Sequence, residues 1–156
     1  MTRRPAVVAA LAAALLLAAG PAEKPAPLPP PVDYRQVTLF GVVVVPDAGE
    51  LDPRLAKVAS QLRKLRPGSG FRLRGVESRR LASGQTLTCD MKRGVKATTE
   101  LLDAMDGKGK VRFRFALEID GRSVFRTIVT TPPNQLFFCE KPLPDGDRLL
   151  IGIGAR

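Results

Sequence analysis

Most of the chain after residue 33 alternates apolar and polar residues in short runs. The clearest run is 111–119, where apolar residues occupy every second position and arginine, alanine and glutamate lie between them. A period of two is that of a half-buried strand. Weaker runs with turn residues between them predict further strands at 36–45, 71–74, 85–91, 95–102, 124–131, 136–139 and 149–153.

One segment, 52–65, has the pattern of an amphipathic helix. Asp52 followed by Pro53 is typical of an N-cap and a first helical residue, and Pro67 ends the segment. The predicted buried stripe consists of Leu51, Leu55, Val58, Leu62 and Leu65. The opposite, exposed face consists of Arg54, Lys57, Gln61 and Lys64.

The order of these elements predicts an α+β fold. One strand and one helix are followed by a run of strands with tight turns, and Asp120-Gly121 is a hairpin signal. We expect one amphipathic helix packed on a mostly antiparallel, meandering β-sheet, with barrel-like and sandwich-like closure as alternatives. This single domain is placed at 33–156.

The amino terminus has the three-part pattern of a secretory signal. Two arginines precede an uninterrupted apolar run at 6–19, and small residues follow it. Cleavage after Gly20 or after Ala22 fits, and Ala22 places the signal at 1–22. Because the apolar run is short for a membrane span, a retained anchor is the less favoured alternative. Five prolines in 23–32 then predict an extended spacer. We expect an exported protein, periplasmic or extracellular, with no transmembrane span after processing.

Charge indicates what the protein could bind. The chain has 25 Lys+Arg against 15 Asp+Glu, a net charge of +10, which favours acidic partners. The densest basic cluster consists of Arg63, Lys64, Arg66, Arg72, Arg74, Arg79 and Arg80, with Arg112, Arg114 and Arg126 as a conceivable extension. Arginine suits bidentate binding of phosphate or carboxylate, but the same residues could simply solvate a surface.

Catalysis is not indicated. The chain contains no histidine, which removes Ser-His-Asp units, Cys-His units and histidine metal ligands. Five of its 15 carboxylates have predicted turn or cap roles: Asp47, Asp52, Asp106, Asp120 and Asp145. No glycine-rich phosphate loop is present, and a two-carboxylate glycosidase is the less favoured alternative. We therefore expect no enzyme activity, no cofactor and no metal.

The two cysteines, Cys89 and Cys139, lie in predicted strands. Export places them in an oxidising compartment, so an intramolecular disulfide is predicted, with free thiols as the alternative.

The passage from Gln61–Leu65 into Phe71–Leu73 and the closing Leu149–Gly154 suggest a resemblance. In this layout the chain resembles uncharacterised small exported proteins of high-GC bacteria. The resemblance implies an envelope location and no activity.

Two functional hypotheses follow. The first is a non-catalytic cell-envelope module that docks on a protein partner in an accessory, scaffold or assembly role. The second is a binder of anionic ligands, such as a phosphate-rich polymer, a lipid headgroup or an acidic glycan, through the basic cluster. Sequence-specific nucleic-acid binding is not expected, because Phe113 and Phe115 share a face with core residues.

Overall fold

A computed structural model describes residues 27–28 and 32–156. Within them, the strands and the helical segment follow the predicted order, and every predicted strand is present. Most bounds agree within a few residues, but the strand predicted at 85–91 is shorter, and the one predicted at 71–74 extends over Gly70–Ala82. The strands are β1 (Tyr34–Val45), β2 (Gly70–Ala82), β3 (Thr86–Asp90), β4 (Val95–Asp103), β5 (Val111–Ile119), β6 (Arg122–Thr131), β7 (Leu136–Pro142) and β8 (Arg148–Ala155).

The strands form two antiparallel sheets of four. Sheet A has the order β2-β1-β8-β7, and sheet B has the order β3-β4-β5-β6. Sheet B is a simple meander, whereas sheet A joins the first strand of the domain to the last one. The predicted α+β class is confirmed, and the sheets do not close into a barrel.

The main core lies between the two sheets. In β5 the alternate residues Val111, Phe113, Phe115 and Leu117 are all fully buried. They pack with inward-facing residues of sheet A from β1 and β8, in particular Leu39, Val37, Ile151 and Ile153. The period of two therefore marks the inner face of a sandwich.

The helical segment covers part of the outer face of sheet A. It begins as a 3-10 helix, Pro53–Val58, and continues as α1, Ala59–Leu65. Asp52 is the predicted N-cap and accepts a hydrogen bond from the Arg54 backbone N–H at 3.0 Å. Leu55 and Leu62 are buried in a second core, in which they pack with Phe40, Val42, Val44, Phe71 and Leu150.

Two details of the predicted helix differ in the structure. The first half is 3-10 rather than α-helical. The prediction that Leu65 belongs to the buried stripe is wrong, since its side chain is 46% exposed. Leu65 is the last residue of the helix, and Leu62 is the buried residue of α1.

The hairpin prediction at Asp120-Gly121 is confirmed. Both residues have positive φ, 49° and 76°, and they connect β5 to β6. Two consecutive left-handed residues characterise the turn type whose twist matches that of paired strands.

The predicted disulfide is not formed, because Cys89 and Cys139 are both free thiols. Cys89 lies beside Gly75 of β2, where an added Cβ would be 3.1 Å from its Sγ atom. Cys139 belongs to β7, at the opposite edge of sheet A. Three strand spacings separate β2 from β7, roughly 14 Å, whereas a disulfide requires Cα atoms within about 7 Å.

The predicted signal at 1–22 lies outside the described residues, as does most of the spacer at 23–32. No helix within 27–28 and 32–156 has the length and apolar character needed to cross a membrane.

Candidate functional site

A groove lies on the outer face of sheet A, beside the helical segment. Its volume is about 640 Å³. Its apolar lining comes from β1, β2, the helical segment and the start of β7, and consists of Phe40, Leu55, Val58, Leu73, Val76 and Leu136. The helical segment therefore forms one wall of the groove and leaves the rest of this sheet face uncovered.

Two glycines of β8 create the space for this arrangement. Gly152 lies opposite Phe40, and Gly154 lies opposite Thr38. A Cβ atom at Gly154 would be 2.7 Å from Leu136 Cδ2, and one at Gly152 would overlap the Phe40 ring. Because β8 carries no side chain at these two positions, neighbouring side chains can lie across the strand.

The charged residues of the groove are all basic. Arg54, Lys57 and Arg156 line it, and none of its lining residues is a carboxylate. Arg54 is held by Asp52 at 2.6 Å. Lys57 and Arg156 form no ion pair with any of the described residues, so their charges are available to a ligand.

The predicted basic cluster does not form one continuous surface. Arg63 and Lys64 are exposed on the helix, and Arg66 is bound by Glu140 of β7. Arg80 and Arg79 lie toward the far end of β2. At about 3.3 Å per residue, the seven residues from Arg72 to Arg79 extend roughly 23 Å. Arg80 packs on the Tyr34 ring, 4.8 Å from its centroid.

Arg72 and Arg74 belong to a separate site, which we call the basic notch. It is a cavity of about 270 Å³. The notch lies where β2 meets the β3–β4 turn and the β7–β8 turn, and its lining residues are Val43, Arg72, Leu73, Arg74, Lys92, Arg93 and Asp147. The predicted basic cluster does not include Lys92 and Arg93, although they lie between two strands in a short basic turn that ends in Gly94.

The conceivable extension of the cluster lies elsewhere. Arg112 and Arg114 occupy the outer face of sheet B, where Asp103 and Glu100 bind them. Arg126 lies on the neighbouring strand opposite Ala116 and donates to the Ser123 hydroxyl. These arginines belong to a charge-paired face, so they do not enlarge the basic notch.

Burial and hydrogen bonding shift the pKa values of both cysteines and of several aspartates among the described residues. Burial raises the pKa of both Cys89 and Cys139 to about 11, which disfavours the reactive thiolate. Hydrogen bonds from Arg54 lower the pKa of Asp52, and backbone N–H groups lower those of Asp106 and Asp145. Carboxylates held ionised in this way act as caps and turn anchors.

No protein-family model, curated protein or solved structure matches the chain. The groove and the basic notch are therefore interpreted from their own chemistry.

Proposed function

We propose that the protein is a non-catalytic, exported cell-envelope module that docks on a partner protein. The groove binds a segment of that partner that combines large apolar side chains with carboxylates. The observation that carries this proposal is the lining of the groove, which combines apolar side chains with neutral polar ones and has only basic residues among its charged side chains.

The apolar part of the lining supplies the affinity. Val76 is 50% exposed, and it lies beside buried side chains such as Phe40 and Leu55 rather than alone on a polar surface. The exposed apolar surface belongs to Val76 and to the partly exposed Val58, Leu73 and Leu136. Covering it yields about 25 cal/mol for each Å² removed from water. A partner segment with one or two large apolar residues would therefore bind through those residues to the apolar lining of the groove.

The basic part of the lining supplies the selectivity. Lys57 and Arg156 have no carboxylate partner among the described residues, so an acidic segment would gain attraction without breaking an existing ion pair. A basic segment would face repulsion at the same positions. Charges at the edge of a binding site mainly govern partner choice and association rate.

Support for a non-catalytic role comes from the absent histidine and from the raised pKa of the two thiols. Support for export comes from the amino-terminal pattern of the sequence.

The test is selection of a phage-displayed library of random short peptides on the purified protein. Peptides that combine acidic residues with large apolar residues should be enriched. Synthetic versions that contain tryptophan then permit a fluorescence titration, because the protein has no tryptophan of its own.

Two pairs of variants locate the binding. Val76→Glu and Lys57→Glu should weaken the selected peptides at least about tenfold, equivalent to 1.4 kcal/mol. The matched controls are Ile128→Glu, 55% exposed on sheet B, and Lys64→Glu on the same helical segment. Enrichment of basic peptides, no enrichment at all, or equal loss in variants and controls would refute the groove as the docking site.

A further inference from the structure

The basic notch holds more positively charged than negatively charged side chains, and the fold alone does not explain this excess. Four cations meet there, two from β2 and two from the β3–β4 turn. Arg93 pairs with Asp145 at 3.3 Å and lies 3.9 Å from Asp147. Among the described residues, no carboxylate forms an ion pair with Arg72, Arg74 or Lys92. Three cations are thus gathered at a small cavity without an ion pair of their own, although Asp147 also lines it.

Arg74 has unused hydrogen-bonding capacity at this place. It is half-buried, and its Nη2 atom reaches the Lys92 carbonyl oxygen only at 3.5 Å. Its Nη1 atom is buried without a hydrogen-bond partner among the described residues. A buried donor that stays unpartnered destabilises the fold, and more so when the group is charged. An anion held against this guanidinium would relieve that cost.

The turn that supplies the other two cations has an uncommon backbone conformation. Lys92 and Arg93 both have positive φ, 65° and 50°, although neither is a glycine. The turn is held by hydrogen bonds from the Lys92 N–H to Asp90 and from the Val95 N–H to the Lys92 carbonyl. Left-handed conformations cost energy for residues with side chains and are often retained where function requires them. Here the conformation accompanies two basic side chains at the wall of the notch.

We propose that the basic notch binds a phosphate group. Arginine offers paired N–H donors that match phosphate oxygens, and lysine adds a point charge. At about 30 Å³ per water, the 270 Å³ cavity holds on the order of nine waters, enough for one phosphate with little of the group that bears it. The four cations outnumber the two aspartates at the notch, Asp145 and Asp147, and both aspartates lie nearest to Arg93. The excess positive charge is therefore on the β2 side and on Lys92.

This site is distinct from the groove. The two share Leu73 of β2, but the groove lies on the helix side of sheet A, and the notch lies at the turn end of the sandwich. Phosphate binding can therefore succeed or fail independently of partner docking.

The test is ³¹P NMR titration of inorganic phosphate and pyrophosphate with the purified protein. A parallel arm measures sedimentation with vesicles of phosphatidylglycerol and with vesicles of phosphatidylcholine. Saturable binding in the first arm identifies a free phosphate as a source, whereas binding only to the anionic vesicles identifies a lipid headgroup. Both outcomes support the site if the variants below behave as expected, and binding in neither arm overturns it.

Arg72→Gln is the informative variant, because Arg72 is exposed and has no partner that folding requires. Its matched control is Arg79→Gln, which removes the same charge from the same strand roughly 23 Å away. We expect Arg72→Gln to weaken binding about tenfold and Arg79→Gln to change it less than about twofold. Arg74→Gln should weaken it at least as much as Arg72→Gln. Equal weakening by Arg72→Gln and Arg79→Gln would indicate a general charge effect and would overturn the proposal.

Discussion

Replacing each of the last two leucines of the predicted helical stripe tests whether the helix packs as the structure shows or as the sequence pattern alone predicts. Leu62 and Leu65 both belong to the stripe predicted from sequence. In the structure Leu62 is 0% exposed in the second core, whereas Leu65 is 46% exposed. We therefore predict that Leu62→Ala strongly destabilises the protein and that Leu65→Ala does not.

The magnitude follows from the carbon atoms removed. Leucine to alanine removes about three methylene equivalents, worth roughly 2.4 kcal/mol at ~0.8 kcal/mol each. At Leu62 the surrounding side chains also leave a cavity, which brings the expected loss to about 3–4 kcal/mol. At Leu65 the site is open to water, so no cavity forms, and the loss should be below about 1 kcal/mol.

The assay is urea unfolding followed by far-ultraviolet circular dichroism, with thermal unfolding as a second measurement. Leu62→Ala should lower the Tm by about 12 °C, at ~4 °C per kcal/mol for a domain of this size. The urea m-value should stay unchanged in both variants if each transition remains two-state. Similar losses at the two positions, or a loss below about 1 kcal/mol for Leu62→Ala, would contradict the packing described for the helix.

Three further predictions address the thiols, a glycine and a partly buried carboxylate, that of Glu140. Denatured, unreduced protein should contain two thiols that react with a disulfide reagent, and a mass two hydrogens lower would contradict the assignment of Cys89 and Cys139 as free. Gly152→Ala should cost about 1–3 kcal/mol by urea unfolding, because aromatic rings occupy the space of the added Cβ. Gly107→Ala, which adds a methyl group in open space, serves as its control and should not destabilise; equal losses would refute the close packing at β8. Burial opposes ionisation of Glu140, but hydrogen bonds from two arginines outweigh it and lower its pKa. The ionised Glu140 carboxylate therefore stabilises the fold fully at pH values above its pKa in the unfolded chain, about 4.3. This stabilisation disappears as the pH falls through its lower pKa in the folded protein. Glu140→Gln should thus lose about 1 kcal/mol at pH values near 7 and match the wild type in acid, and a loss that does not depend on pH would argue against the ion pairs.

Sequence patterns predicted the secondary structure well because each pattern depends on residues close together in the chain. The run 111–119 matches the bounds of β5, and the Asp120-Gly121 turn has the expected positive φ values. The N-cap at Asp52 also forms as expected. Each of these features depends on local backbone geometry, so a short window of sequence contains the information that determines it.

The candidate sites could be predicted only in part. Arg72 and Arg74 were correctly identified as members of a basic cluster, but their neighbours Lys92 and Arg93 come from another turn. Arg79 and Arg80, although close in sequence, lie far along β2. A strand extends neighbouring residues over a long distance, so closeness in sequence does not give closeness in space.

By itself, the sequence determined the α+β class, the order and period of the elements, the hairpin and the cap, together with the absence of histidine chemistry. Only the tertiary structure decided that the first and last strands pair in sheet A, and that Cys89 of β3 and Cys139 of β7 lie in different sheets, too far apart for a disulfide. It also decided that the helical segment covers only part of that sheet and leaves a groove, and that three separate chain segments meet at the basic notch. The physical reason is that strand pairing and sheet packing join residues distant in the chain, and alternation of apolar residues specifies which face is buried but not which strand lies beside it.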